Sequence, residues 1–453
     1  MARIIIIGGG LTGLSTAYHL EQHGFFDYKL FEKEHTVGGL CRSVQQDGFT
    51  FDYTGHLLHA KDPYFYSFIE KLVGLHNLNS IYRRSFIFSE NTYTKYPYQI
   101  NLHGLSAETI TDCIEGYANR PKTAKKPSSF REWVLQHFGK GIAEHFFFPF
   151  QEKIFSYDLH KVSPTWMGRF VPKTSLRQMI QGALHDSNDA TIGYNAHFFY
   201  PQYGGINFWI NKLAHAIQQP IYTNKTIQKI DLTKKTISFT DASDEPFDIL
   251  INTMPLDECI TRLKEPNSTT FYKALPHLIC NSVINLNVGV KREHLSDKHW
   301  IYFPEKKYPF YRVGFPHNFA NSMTPKGCSS LYAEFSHIKQ PLRVIAEYVR
   351  ETRQQLLNLF SLQKSDIATE KIITIPHAYV IYTSWREKHL SQILTHLEEH
   401  QLYSIGRYGA WKYSSMQEAV LDGKEIAHRI ITAHNITTQY QAPSRSKPKV
   451  LRS

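Results

Sequence analysis

Three glycines near the start of the chain constrain its fold more than any other feature. The stretch "RIIIIGGGLTGLSTAYHLEQHG" (3–24) sets Gly8, Gly10 and Gly13 directly after an apolar run and at the opening of a helix-spaced one. A first glycine permits a tight turn, a second lets backbone approach a pyrophosphate, and a third lets helix pack on strand. The helix start then presents free amides and a positive dipole end to phosphate. "YKLFEKE" (28–34) reads as a second strand, and Glu32 stands 19 residues after Gly13. A carboxylate at that place accepts hydrogen bonds from an adenosine ribose. Strand, turn, helix and acid in register predict a Rossmann-like α/β domain that binds a dinucleotide.

Along the chain the texture changes twice. Residues 61–199 read as a mainly helical insertion with a hairpin near 84–100, and Ser129 with Glu132 has capping-box spacing. The α/β texture returns at 200–262, where "FDILINTMP" reads as a buried strand. Residues 263–397 are rich in strands with alternating aromatics and predict a mostly antiparallel sheet that serves the substrate. A strand and a helix at 398–435 complete the nucleotide-binding domain, which is therefore discontinuous (1–60, 200–262 and 398–435). Residues 436–453 read as a basic, disordered tail.

The 453 residues carry a formal charge of +11, which favours anionic partners, and 14% aromatics, which suit pockets that stack planar ligands. The five cysteines form no CxxC pair. A reducing cytoplasm is the simplest reading, and no metal site is expected. No segment has the length of apolar residues that a membrane span needs.

Further stretches follow in an ordered set. "EKEHTVGGLCRS" places Gly39, Leu40 and Arg42 just after Glu32 and Lys33. "GFTFDYTGHLLH" holds Gly55 and His56. "YPQYGGINFWINKLA" and "FDILINTMP" come later, and "GRYGAWKYSSMQEAVLDG" closes the set with Gly406, Ser414, Ser415 and Met416. The set resembles the flavin amine oxidase superfamily. The resemblance implies FAD, held by Gly8, Gly10, Leu11, Thr12, Gly13, Glu32, Lys33, Gly39, Leu40, Arg42, Gly55, His56, Ile227, Gly406, Ser414, Ser415 and Met416.

A second group of stretches narrows the chemistry. "KYPYQINL" (95–102), "PFQEKIF" (149–155), "HWIYFPEKKYPFYRVGFPHNFA" (299–320) and "GRYGAWKY" (406–413) together resemble the UDP-galactopyranose mutases, particularly the larger, eukaryotic type. By that resemblance Tyr96, Tyr98 and Gln99 hold the uracil, and Gln151 and Phe155 line the sugar and phosphate region. Arg312 and Arg407 clamp the diphosphate, with Tyr302, Tyr379 and Tyr413 as further donors. His56 lies beside the flavin, and His56, Arg312 and Arg407 form the catalytic group. The planar fork of arginine matches phosphate oxygens on physical grounds alone. Two departures stand out: the family's Asn and Trp are replaced by Gln151 and Phe155, and "SSMQEAVLDG" replaces its polar run after Tyr413.

The resemblance implies an isomerase of cell-surface polysaccharide biosynthesis. It would interconvert the pyranose and furanose forms of a UDP-sugar, with N5 of reduced flavin as nucleophile and no net redox. Its partners would be the UDP-sugar and NAD(P)H or another reductant, with no nucleic acid. A second reading, an FAD-dependent oxidase or desaturase of an amine, porphyrinogen or polyene, uses the same cofactor stretches without needing two arginines for a diphosphate. A third is a flavin-binding protein without turnover. Oligomeric state has no signature in the sequence.

Overall fold

Four consecutive isoleucines, Ile4–Ile7, form the centre of a five-stranded parallel sheet. A strand flanked by neighbours and covered on both faces has no use for alternation, and all four are buried. On one side it pairs with Ile249–Asn252 and beyond it Leu402–Ser404. On the other it pairs with Tyr28–Phe31 and then Ile221–Tyr222. The sheet thus gathers strands from the beginning, middle and end of the chain. This computed structural model describes residues 3–167, 171–186, 196–264 and 269–433. The basic tail lies outside the described residues.

Helices Leu11–Gln22 and Met416–Ala433 pack together beside this sheet so closely that a Cβ on Gly423 would lie 2.7 Å from the Ser15 side chain. Ser15 Oγ donates to the Val420 carbonyl at 2.7 Å and fixes the contact. A small four-stranded sheet, made from Asp244–Pro246, Thr236–Phe239, Ile227–Asp231 and Leu263–Lys264, covers another flank.

The seven-stranded sheet runs in the order Ile367–Ile375, Ser282–Val290, Ser329–His337, Arg312–Gly314, Trp300–Tyr302, Ser85–Ser89, Thr92–Lys95. It is antiparallel except where Trp300–Tyr302 runs parallel to Ser85–Ser89. The hairpin within the helical stretch is therefore an edge of this sheet. Its backbone donors and acceptors are satisfied there rather than among the helices. Helices Ala107–Ala118, Phe130–Ile142 and Phe148–Phe155 form a separate apolar cluster that reaches Tyr311 and Ile381. Ser129 does cap its helix, accepting from Glu132 N at 3.3 Å. Glu132 itself turns to Ser128 N at 2.8 Å, so the reciprocal half of the expected box is missing.

Candidate active site

The glycine turn is built as a cradle. A Cβ on Gly13 would lie 1.9 Å from the Gly8 carbonyl oxygen, so only glycine lets the first helix sit on the turn. The second glycine loop closes over it: Gly38 N donates to Gly9 O at 2.8 Å, and a Cβ on Gly39 would stand 3.2 Å from Gly10 Cα. Bare backbone thus faces bare backbone. Glu32, buried at the end of its strand, accepts from Gly9 N at 2.6 Å and from Glu34 N at 2.8 Å. A carboxylate has about four lone-pair directions, so acceptor capacity remains for ribose hydroxyls. Arg42 donates from Nε to Gly39 O at 2.8 Å and lies 4.8 Å from the Tyr53 ring centre, while its Nη2 has no partner among the described residues. This donor set fits a dinucleotide.

The other cofactor positions are placed as follows. Leu11 and Thr12 are buried at the helix start, and a Cβ on Gly406 would meet Thr12 Oγ1 at 2.6 Å. Ser415 caps the last helix through Glu418: Ser415 N donates to Glu418 Oε2 at 2.7 Å, and Glu418 N to Ser415 Oγ at 3.3 Å. Ser414 and Met416 flank it and are buried. Leu40 packs, with Tyr53 and Tyr379, on the Val283–Ile373 cluster of the large sheet. Ile227 is buried beside Phe31, and Lys33 is exposed.

Several positions that the sequence reading gave to the substrate share one row across the large sheet. Antiparallel register sets Asn285 opposite Glu334, Glu334 opposite Arg312, and Arg312 opposite Tyr302. Residues directly opposite share a face, so all four project together. Arg312 grips Glu334 with both prongs, at 3.0 Å from Nε and 2.7–2.8 Å from Nη2. Asn285 Nδ2 donates to the Tyr53 carbonyl at 2.9 Å and ties the row to the loop carrying Gly55 and His56. Tyr332 lies two residues before Glu334. A Cβ on Gly55 would lie 2.4 Å from its hydroxyl, and one on Gly314 would overlap its ring.

Arg407 is held differently. Nη1 donates to the Ser414 carbonyl at 2.6 Å and Nη2 to the Ala378 carbonyl at 2.9 Å. The rings of Tyr413, Tyr408 and Tyr379 surround its guanidinium at 5.1, 5.6 and 5.8 Å. No carboxylate among the described residues pairs with it. Burial, then the charges of Arg407 and Arg312, push the His56 imidazole down to about 4. One neutral ring therefore lies within the field of both arginines, with Nδ1 at 3.2 Å from Thr54 Oγ1. Burial raises the phenols of Tyr302, Tyr379 and Tyr96, which stay protonated donors at neutral pH.

Tyr96 joins this group, its ring 5.3 Å from that of Tyr302 and 4.9 Å from the Arg83 guanidinium. Phe155 meets Trp166 edge-on at 5.5 Å, and Trp166 in turn lies 5.8 Å from Tyr413. Gln151 Oε1 is buried without a hydrogen-bond partner. Gln99 is buried and donates to the Pro172 carbonyl at 2.7 Å. Tyr98 is not brought to the group: it is fully buried and stacked on Phe146 at 5.0 Å within the helical cluster.

Four neighbours escaped the sequence reading: Arg83, Trp166, Tyr332 and Glu334. Of these only Glu334 had a signal. An acid inside the apolar strand "LYAEFSH" implies a buried cation, since an unpaired charge there is too costly.

Fold and cradle together define a dinucleotide-binding protein of the Rossmann-like α/β class. The chain belongs to the family of flavin containing amine oxidoreductases, whose model matches residues 11–431, and a flavin cofactor follows from that membership. Within the superfamily it is a UDP-galactopyranose mutase-like member. A crystal structure of reduced UDP-galactopyranose mutase aligns with a TM-score of 0.88 and 26% identity, over 96% of this chain and 94% of that one. Putrescine oxidase bound to putrescine shares the fold at a TM-score of 0.65 and 15% identity, over 95% of this chain and 99% of that one. Two of the matches by sequence are short. The 4,4'-diaponeurosporene oxygenase of Staphylococcus haemolyticus is 48% identical over 50 residues, 11% of this chain and 10% of that protein. The zeta-carotene-forming phytoene desaturase of Myxococcus xanthus is 46% identical, also over 50 residues, 11% of this chain and 10% of that protein. The chain thus spans about a tenth of these two relatives.

Proposed function

We propose that this enzyme is a nucleotide-sugar mutase, interconverting pyranose and furanose forms of a UDP-sugar on reduced FAD without net redox. The observation that carries the reading is Arg407, a guanidinium set among tyrosines and carbonyls with no carboxylate of its own among the described residues. Such a site calls for an anion, and a diphosphate supplies one. The mutase-like architecture supports the same choice.

In this reading reduced flavin, when bound, supplies the nucleophile for the anomeric carbon. The chain's own residues do the rest. Arg407 and Arg312 take the charge that grows on the UDP oxygens as the glycosidic bond breaks. Tyr302, Tyr379 and Tyr413 donate from their hydroxyls. Tyr96 and Gln99 hold the uracil, and Gln151 offers its orphan acceptor to a sugar hydroxyl. His56 stays neutral and exchanges single hydrogen bonds beside the reacting carbon. The sugar is of the galactose kind, the flavin's reductant is NAD(P)H or an equivalent donor, and the five unpaired cysteines suit a reducing cytoplasm.

The test is an assay of dithionite-reduced protein with UDP-hexopyranoses under anaerobic conditions. Furanose product from reduced enzyme, and none from oxidised, is the expected result. Steady oxygen consumption with an amine, porphyrinogen or polyene, with no isomerisation, would replace the reading by an oxidase.

A further inference from the structure

The helix Leu176–Leu184 lies shallowly on the molecule and buries only Met179 and Gly182. Gly182 clamps it down: a Cβ there would stand 1.6 Å from the Ile100 carbonyl oxygen, and its own carbonyl accepts from Leu102 N at 3.0 Å and His103 N at 2.9 Å. Away from that clamp the helix carries Leu176, Ile180 and Leu184, with 38%, 38% and 67% of their surface exposed. Residues four apart lie one above another on a helix. The three therefore make a single aliphatic stripe facing outward.

Cations gather at the start of this stripe. Lys173 and Arg177 lie on the helix and its lead-in and are exposed. Tyr117 Oη donates to the Thr174 carbonyl at 2.7 Å, which anchors the end of helix Ala107–Ala118 beside them. Arg120 lies 3.8 Å from the Tyr117 ring centre, and exposed Lys122, Lys125 and Lys126 follow. Neither 119–127 nor 171–185 contains an acid, and Asp186 is paired with Lys95 at 2.7 Å.

An outward aliphatic stripe flanked by acid-free basic segments is the pattern of a helix that lies in a bilayer interface. A second copy of this chain suits it less, because a two-fold contact would set the basic segments against themselves. We propose that this face seats the protein on an anionic bilayer, with Leu176, Ile180 and Leu184 entering the headgroup boundary and the surrounding lysines and arginines contacting lipid phosphates. The inference is independent of the reaction proposed above.

Co-sedimentation of the full chain with vesicles tests it. Vesicles of phosphatidylcholine with phosphatidylglycerol should bind the protein, and phosphatidylcholine alone should not. Ile180→Ser with Leu184→Ser, and separately Lys125→Glu with Lys126→Glu, should each lower the partition coefficient roughly tenfold or more at unchanged melting temperature. Absence of binding to anionic vesicles at low salt overturns the proposal. So does wild-type binding by both variants, which would assign the interaction to the basic tail. Self-association that the Ile180/Leu184 variant dissolves, without vesicle binding, assigns the face to a second copy instead.

Discussion

Arg312 and Glu334 stand directly opposite each other on neighbouring strands and share a two-pronged ion pair, with the Glu334 side chain fully buried. The arginine read as a phosphate ligand thus already gives Nε and Nη2 to a protein carboxylate. Its second role is structural, and its removal would strand a buried carboxylate. Glu334→Gln keeps the shape and deletes the charge. Breaking a buried pair from one side costs about 3–5 kcal/mol, so urea unfolding should show a loss of that order. An unchanged midpoint would mean that the pair holds nothing together. By the same logic Arg312→Ala perturbs stability and binding at once and is a poor probe of phosphate contact.

Arg407 is the cleaner probe, because no carboxylate among the described residues is stranded when it goes. A charge-assisted hydrogen bond contributes about 1.5–3 kcal/mol, equivalent to roughly 10- to 160-fold in affinity. Arg407→Ala should weaken UDP binding within that range, read by isothermal titration, while the flavin absorbance of the purified protein persists. Arg407→Lys should recover only part, since an ammonium lacks the planar fork. UDP affinity equal to wild type in both variants would remove the diphosphate from this pocket.

The α/β class and the flavin cradle were legible because they rest on local rules: a buried strand, a glycine turn, a helix and an acid at fixed spacing. The row across the large sheet was not. Asn285, Tyr302, Arg312 and Glu334 lie on four separate strands, far apart in sequence, and meet only through strand register. Register is set by long-range pairing that no local pattern encodes. The same limit explains why the hairpin Ser85–Ser89 and Thr92–Lys95 was legible as a hairpin, while its place at the edge of the seven-stranded sheet was not. Tyr98 shows the converse: a tyrosine two residues from Tyr96 reads as its partner, yet the backbone carries it inward onto Phe146. Arg83 and Trp166 offered no pattern at all.

Gly406 links the two halves of the site. Its φ of 79° lies in the left-handed region, and a Cβ would press on Thr12 Oγ1 at 2.6 Å. Gly406→Ala therefore meets both strain and overlap at the point where the closing segment touches the first helix. The expected result is loss of bound flavin, seen as a fall in visible absorbance per chain, with UDP affinity falling as Arg407 shifts. Gly55→Ala offers the contrast, since it presses on the Tyr332 hydroxyl at 2.4 Å. It should impair turnover more than it lowers flavin content. Normal flavin content in Gly406→Ala would show that the contact yields without consequence.

Acid should destabilise the protein well before most carboxylates titrate. Burial pushes His19, His56 and His59 down to about 4, and His299 to about 3, from an ordinary value near 6.5. These rings stay neutral when folded but take up protons when unfolded, so between pH 6.5 and 4 the unfolded chain binds more protons and stability falls as pH falls. Asp52 opposes them. Burial raises its carboxyl to about 6, against hydrogen bonds from Ser43 and Tyr200, so in the folded protein it gains a proton in the same window. The lowered histidines outnumber the raised aspartate, so the unfolded chain is the net proton acceptor here, and each unbalanced proton contributes about 1.4 kcal/mol per pH unit. Melting temperatures measured from pH 7.5 to 5 should therefore drop steadily below about pH 6.5. His299→Asn should flatten the drop by about a quarter to a third. A melting temperature that holds constant down to pH 5 would show that these rings are protonated in the folded state, and that His56 is a cation beside the two arginines rather than a neutral ring.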